Sequence, residues 1–265
     1  MENYYDFRLS CERMRLQLCN SAQFSEREIH PYHEILYCEE AVANLRTENG
    51  QIKIRGNQLF IIPKGKYHLF DLSGGKQLKR LKISIPDELV SGTPIRLFSG
   101  DIRILHPTEQ GVAFILDRLC ELLRGEESEE RLCHAYNAVM LLLSELNLLT
   151  EAGEVSGYQG ASDAVLEVAR YITENLSGDL RVEELSRAVN FSPSFLSHKF
   201  KEEMGISLHG YIVQKRMAYA KERIDMGEQP SKIYEECGYR DYSSFYKAYF
   251  RYFATPPSER KRKEK

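Results

Sequence analysis

Val182-Glu-Glu-Leu-Ser-Arg-Ala188, a break at Asn190-Phe191, and then Ser192-Pro-Ser-Phe-Leu-Ser-His-Lys-Phe-Lys-Glu-Glu-Met-Gly205 decide the fold of the last third of this chain. The first run reads as a short helix. Ser192 caps the next one, and Pro193 sits at its first position, where a missing N–H costs nothing and the fixed φ is already helical. Gly205 supplies a left-handed stop. Leu185, Leu196 and Phe200 then face one another as a small core. Two short helices joined by a tight turn make the helix-turn-helix, whose second helix fits the major groove of DNA. An ordinary helical hairpin shares this pattern.

Downstream the pattern repeats. Pro230-Ser-Lys-Ile-Tyr-Glu-Glu-Cys237 predicts a short helix, Gly238-Tyr239 a turn, and Asp241 a cap for Tyr242-Ser-Ser-Phe-Tyr-Lys-Ala-Tyr-Phe-Arg-Tyr252. A long helix from Leu208 to Asp225, stopped at Gly227, lies between the units. Its 18 residues span ~27 Å at ~1.5 Å each. Successive major grooves on one face of B-DNA are ~34 Å apart, so one rigid helix can hold both readers on the same face of a duplex.

Upstream, Thr150 to Ala161 carries three Gly and no periodicity, and predicts a flexible linker. Before it, Val112, Ile115, Leu116, Leu119, Leu122 and Leu123, and then Leu132, Tyr136, Val139, Leu142, Leu143 and Leu146, fall at helical spacing around the acidic turn Gly125–Glu130. The second helix is leucine-rich on more than one face, which suits burial against two surfaces, a second subunit among them, or packing against the β domain alone. From about Ser21 to Ile85, β-type runs alternate with turns: Glu34–Tyr37, Gln51–Ile54, Gln58–Ile62 and Leu78–Ile85, with breaks at Glu48–Gly50, Gly56-Asn57 and Ser73–Gly75. Such spacing predicts an antiparallel sandwich or barrel.

The fold class is therefore α+β in two domains: a β-barrel over 1–105 with a helical pair over 106–150, a linker over 151–161, and an all-α double helix-turn-helix domain over 162–265. The 265 residues give each domain a core of its own. No apolar run approaches the ~20 residues of a membrane span, and the N-terminus has no basic-then-apolar leader. Six scattered cysteines without a CxxC pair read as reduced thiols, so a cytoplasmic location without membrane association is expected. Net charge is −3. Residues 161–265 hold 18 Lys and Arg against 16 Asp and Glu, a net of +2, and residues 1–160 hold 18 against 23, a net of −5. That asymmetry and the basic tail Glu259–Lys265 support nucleic-acid binding only mildly.

The stretch Leu185 to Arg262 resembles the DNA-binding domain of AraC/XylS-type transcription regulators. The likeness is carried by Leu185-Ser, Ser192–Lys201, Gly205-Ile-Ser207, Tyr211, Arg216 and Ala220. In the second unit it is carried by Ile233, Glu236-Cys-Gly-Tyr239, Asp241, Ser243, Phe245, Tyr249 and Pro257. Departures gather in the second unit: Tyr234 stands at a close helix crossing that usually has Ala, the loop before Ile233 is one residue short, Phe250 replaces Lys, Ala254 replaces the capping Gly, and Arg260 replaces an aromatic. A Tyr at a close crossing should push the helices apart, since overpacking costs ~1–3 kcal/mol.

By position, the resemblance implies base-edge contacts from Ser194, Ser197 and His198 with Lys201 nearer a phosphate, and from Tyr242, Ser243, Tyr246 and Lys247 in the second unit. Hydroxyls and His hydrogen-bond bases, and Tyr rings pack on thymine methyls. Plain solvent exposure is the alternative for each, and a share of such residues touches only phosphate or water. The first reading helix has no Arg, Asn or Gln, so sequence preference leans on DNA shape.

Gly56-Asn-Gln-Leu-Phe-Ile-Ile-Pro63-Lys-Gly65-Lys-Tyr-His68 resembles the second cupin signature, and His30-Pro-Tyr-His33-Glu34 a worn first one. Such barrels form the sensor half of many regulators of the resembled family, often for sugars or other small metabolites. The resemblance thus implies a ligand pocket lined by His33, Tyr37 and His68, a dimerising helical pair, and no cofactor or catalysis. His30, His33 and His68 form a three-His metal site in a rival reading, but their spacing does not put both early histidines on one strand face. A third reading has His33 and His68 merely hydrogen-bonded within the barrel. The expectation is a homodimeric regulator of double-stranded DNA with a small-molecule effector, carbohydrate among the candidates, meeting RNA polymerase if it activates. Its rivals are a cupin-type metalloenzyme and a regulator controlled by a protein partner.

Overall fold

Alternation along the central strand explains the layering of the first half. Ile35 and Tyr37 face one side and Leu36 and Cys38 the other, and each side has its own apolar cover. A computed structural model describes residues 3–9, 12–19, 29–40, 43–71, 79–107, 110–124, 126, 128–150, 159–160 and 162–257. Within them the strands are β1 (Asn3–Leu9), β2 (Glu12–Cys19), β3 (His33–Glu40), β4 (Ala43–Thr47), β5 (Gly50–Ile54), β6 (Gln58–Ile62), β7 (His68–Asp71), β8 (Lys79–Ile85), β9 (Arg103–Leu105) and β10 (Gln159–Gly160). The helices are α1 (Gln110–Arg124), α2 (Glu129–Thr150), α3 (Asp163–Glu174), α4 (Val182–Ala188), α5 (Pro193–Met204), α6 (Leu208–Asp225), α7 (Pro230–Ile233) and α8 (Tyr242–Phe253).

The strands form two antiparallel sheets, β1-β2-β8-β3-β6-β9 and β10-β5-β4-β7. Leu36, Leu45, Ile54, Phe60, Ile62 and Phe70 fill the space between them. Ile35, Leu59, Ile61, Leu81 and Ile83 cover the other face of the six-stranded sheet, where Leu116, Leu119, Val139 and Leu143 of the helical pair meet them.

In the helical half, α6 belongs to two clusters. Its first turns join α3, α4 and α5 through Val165, Ile172, Leu185, Leu196, Phe200 and Tyr211. Its later turns hold α7 and α8 through Met217, Ala220, Ile233, Cys237, Phe245 and Tyr249. Ile29 and Tyr67 of the β half are buried in the first cluster, so the halves share a core.

Two features depart from the sequence reading. Strands β1 and β2 precede the expected start of the β region. At the end of the expected linker, β10 pairs with β5 (Gln159↔Gln51, Gly160↔Gly50). An edge strand offers unpaired backbone groups that any segment can satisfy, so β10 needs no apolar pattern. Residues 151–158 of that linker, the turn at Ser73–Gly75 and the basic tail lie outside the described residues. The span Glu129–Leu149, with a mean hydropathy of 1.3, is long and apolar enough by length and composition to cross a membrane. Glu129, Glu130, Arg131 and Glu145 interrupt that span, so it is not an unbroken apolar run, and its hydropathy comes from leucine on two faces: Leu142, Leu143 and Leu146 are buried while Leu141 and Leu148 are exposed.

Candidate nucleic-acid interface and sensor site

Both helix-turn-helix units are finished by side chains from their own turns. Asn190 takes a left-handed φ of 56° between α4 and α5, a conformation asparagine tolerates better than most residues. The Ser192 hydroxyl accepts the N–H of Phe195 at 3.2 Å, and Gly205 closes α5 at φ 79°. In the second unit Gly238 turns at φ 75°. Asp241 accepts the N–H of Ser244 at 2.8 Å and its hydroxyl at 2.9 Å. Helix α7 ends at Ile233, so Tyr234 sits on its C-cap, with its ring 6.2 Å from that of Tyr242.

On α5, Ser194, His198 and Lys201 are exposed and Ser197 half-buried. The Ser197 hydroxyl donates to the Pro193 carbonyl at 2.8 Å, which leaves its oxygen as an acceptor toward a base. His198 lies 4.0 Å from Glu202. On α8, Ser243 and Lys247 are exposed and Tyr242 and Tyr246 half-buried, with the Tyr246 ring parallel to Phe250 at 6.4 Å. Two groups escaped the sequence reading. Phe195, 52% exposed, stands between Ser194 and the buried Leu196. Arg240, beside the α8 cap, reaches Asp179 at 3.6 Å. An apolar residue on an otherwise polar helix face was the available signal for Phe195.

The three expected sensor residues do not converge. His33 and Tyr37 share the face of β3 that meets the helical pair, whereas His68 faces the space between the sheets; neighbouring positions on a strand alternate sides. Tyr37 donates to Asn57 at 3.2 Å. His33 stacks on Phe98 at 4.3 Å, binds Asp87 through Nε2 at 2.8 Å, and accepts the Lys64 N–H on Nδ1 at 3.1 Å. Burial pushes its pKa down against the pull of Asp87, which suits the neutral tautomer these two bonds require.

His30 and His68 instead meet Glu34. His30 Nε2 is 3.0 Å from one Glu34 oxygen and His68 Nε2 4.0 Å from the other, and Lys82 Nζ reaches Glu34 at 2.7 Å. His30, Glu34 and His68 are buried and Lys82 is half-buried. Burial drives the His68 pKa down to about 3, with Glu34 opposing. Burial also disfavours charge on Glu34, but Lys82, His30 and His68 outweigh it and hold the carboxyl well below its usual range.

This region also grips the helical half. The Gly65 N–H donates to His30 O at 2.9 Å, and His68 Nδ1 to Lys66 O at 3.2 Å, so histidines anchor the loop Pro63–Lys66 at both ends. Lys64 bridges Asp87 at 3.1 Å and Glu222 of α6 at 2.6 Å, and Lys215 of α6 donates to Gly65 O at 2.9 Å. Glu48 accepts from Lys215 at 2.5 Å and from Tyr211 at 2.6 Å. Arg46 donates to the Glu202 carbonyl, and Tyr67 to that of Met204.

Two family models match the chain: an AraC-like ligand-binding domain over residues 14–142 and a helix-turn-helix domain over residues 185–263. The HTH-type transcriptional regulator YdiP of Escherichia coli K12 is 26% identical over 88% of this chain and 79% of its own length. The probable transcriptional regulator LumQ of Photobacterium leiognathi is 33% identical over 34% of this chain, and the xylose operon regulatory protein of E. coli K12 29% identical over 38%. Those two matches take in only 37% and 26% of the respective relatives.

Proposed function

The chain belongs to the AraC-type transcription regulators, DNA-binding proteins with an N-terminal ligand-binding domain, and on that footing we propose how it reads DNA and answers an effector. Ser194, Ser197 and His198 of α5, with Lys201 on a phosphate, read one major-groove segment. Tyr242, Ser243, Tyr246 and Lys247 of α8 meet the next. Phe195 adds an apolar contact of the kind thymine methyls accept. The observation that carries this reading is the pair of capped units strung on α6, whose 18 residues set their separation.

The effector is a small molecule, and a sugar is the first class to try, since a xylose operon regulatory protein is among the relatives. Its route to the DNA-reading half is the loop Pro63–Lys66. A ligand that disturbs His33 or His68 moves the backbone these rings hold, and with it Lys64 and the Gly65 carbonyl that grip α6. Two copies pair through the apolar face of the helical pair, where Phe114, Leu141 and Leu148 are 72%, 52% and 62% exposed. Exposed apolar side chains gathered in one patch mark an interaction surface, and we assign these three to it. The dimer then places two DNA-reading halves on two half-sites, in the cytoplasm, and contacts RNA polymerase if it activates. The reading is of a regulator, not an enzyme.

Selection from a random-sequence DNA pool, repeated across a salt series, tests it. Two enriched blocks about one helical turn apart are expected, with affinity falling steeply as salt displaces phosphate contacts. A pool that stays unenriched and binding that ignores salt would overturn the reading.

A further inference from the structure

We propose that Arg181 and Arg240 form one phosphate site where the two helix-turn-helix units meet, filled by a backbone phosphodiester of the duplex between the two reading helices. This site rests on the DNA-binding reading and adds to it a contact that neither reading face supplies. Arg181 is the N-cap of α4, and Arg240 stands just before Asp241, the N-cap of α8. Their Nη2 atoms converge on one atom, Asp179 Oδ2, at 2.8 Å from Arg181 and 3.6 Å from Arg240. Two guanidiniums from separate units thus share one anionic oxygen, and that oxygen marks where an oxygen of a phosphate would sit. All three side chains are more than half exposed. Ion pairs so exposed contribute little and exchange readily, whereas a phosphate has several acceptor oxygens and matches the guanidinium fork.

The backbone beneath the two arginines is fixed in advance. Arg216 of α6 donates to Leu176 O at 3.0 Å and to Gly178 O at 2.8 Å. Within the loop, the Gly178 N–H donates to Asn175 O at 2.9 Å and the Arg181 N–H to Asp179 O at 3.0 Å. The loop before α4 is thereby tied to the helix that sets the separation of the units. The Arg216 guanidinium also lies 5.8 Å from the ring centroid of Tyr239, the neighbour of Arg240. It brings a third positive charge to a loop, Asn175–Arg181, that carries one carboxylate. Docking geometry brings DNA to the same place. A reading helix meets base edges with its N-terminal residues, beside which Arg240 stands, and the first helix of a unit crosses the backbone, where α4 begins at Arg181. With α5 and α8 in successive major-groove segments, the backbone between them passes this junction.

Asp179 has two parts in this exchange. In the free protein its carboxylate holds both guanidiniums together, which places them for a single phosphate. When DNA arrives the phosphate takes its place, so the carboxylate competes with the ligand and lowers affinity.

The test uses the full chain and a duplex carrying its enriched sequence, with one backbone phosphate at a time replaced by a neutral methylphosphonate. One replacement between the two blocks should weaken the unmutated chain roughly tenfold, the scale of a hydrogen bond to a charged group. The same replacement should leave the Arg181→Ala, Arg240→Ala double variant unaffected. On the natural duplex, the double variant should lose about 0.9 from the slope of log affinity against log salt, the share of one phosphate. Asp179→Asn should tighten binding roughly threefold, the scale of a released exposed ion pair. Arg118→Ala, which removes one charge from α1 in the sensor half, should change neither slope nor affinity. Salt-dependent binding with no replacement that separates the unmutated chain from the double variant would overturn the junction site alone. So would a slope loss of about twice 0.9, which means two separate phosphates, or weaker binding on Asp179→Asn. An unmutated chain that enriches no sequence and binds duplex without regard to salt would overturn the regulator reading itself.

Discussion

In the first helix-turn-helix unit α4 runs seven residues and α5 is closed by Gly205; in the second α7 runs four and α8 is closed by Ala254 at φ 56°. The first is also held from outside. Arg46 and Tyr67 of the sensor half take the carbonyls at the end of α5, and the Gly205 backbone lies against Leu69. The second relies mainly on its own aromatic core, Phe245 and Tyr249 against Ile233 and Cys237, with Tyr252 touching Ile29 O at 3.1 Å. Equal topology thus comes with unequal support. The β half therefore holds the first unit through Arg46 and Tyr67 and the second through Tyr252 and α6.

The largest effect should come from Gly238→Ala. A Cβ there would stand 2.4 Å from the Arg216 guanidinium and from the Leu176 carbonyl, at φ 75°. Arg216 cannot yield freely, because it donates to Leu176 O at 3.0 Å and Gly178 O at 2.8 Å and so ties α6 to the end of α3. Left-handed strain of ~1–2 kcal/mol and overpacking of ~1–3 kcal/mol together predict a large drop in thermal midpoint. Gly205→Ala has the same backbone cost, but its nearest obstacle is the flexible end of Leu69. It should cost less, and Leu69→Ala should recover part of the loss, as denaturation of both single variants and the double variant would read. If Gly205→Ala costs as much as Gly238→Ala and Leu69→Ala recovers nothing, the sensor half does not press on the first unit.

DNA binding sharpens the contrast at a smaller scale. Ser197 and His198 present polar atoms outward on α5, whereas the outward face of α8 is dominated by Tyr242, Tyr246 and Phe250, packed ring on ring. Ser197→Ala and His198→Ala should therefore change the enriched sequence block, each costing up to ~1–3 kcal/mol on the preferred site. Ser243→Ala and Tyr246→Ala should weaken all sequences alike. Equal shifts in preference from both pairs would show that the two units read bases on the same terms.

Part of this contrast is legible in the amino-acid sequence. Caps and most helix limits can be read there, down to α6 from Leu208 to Asp225, because Ser, Pro, Gly and Asp at helix ends act through local backbone chemistry; α7, expected to run to Cys237, ends at Ile233. The weak second unit shows as Tyr234 and Ala254. What stays hidden depends on pairing across distance. Glu48, Lys64 and Lys215 look like solvated charges in sequence, and only folding brings Glu48 to Tyr211 and Lys64 to Glu222. The placement of the expected sensor residues stays hidden for a related reason: His33, Tyr37 and His68 look equivalent in composition, but strand alternation sends His33 and Glu34 to opposite faces, and His68 lies on the side of Glu34. Glu34, adjacent to one of those histidines, is the partner that His30 and His68 require.

The smallest expected effect concerns the last turn of α8. Ala254 donates its N–H to Phe250 O at 2.8 Å from a left-handed backbone, a position where a Cβ is strained by ~1–2 kcal/mol. Ala254→Gly removes that strain but loosens the unfolded chain by ~0.4–1 kcal/mol, so the net gain should be at most about 1 kcal/mol. It should show as a slightly higher melting point and slower amide exchange in the turn Phe250–Ala254. Gly205→Ala must lower the melting point by comparison, since there the strain is introduced rather than relieved. A fall on Ala254→Gly would mean that the helix end is not held left-handed in solution. In that case the second unit would be looser at its tail than its capped start implies, and α8 would reach DNA with a frayed end.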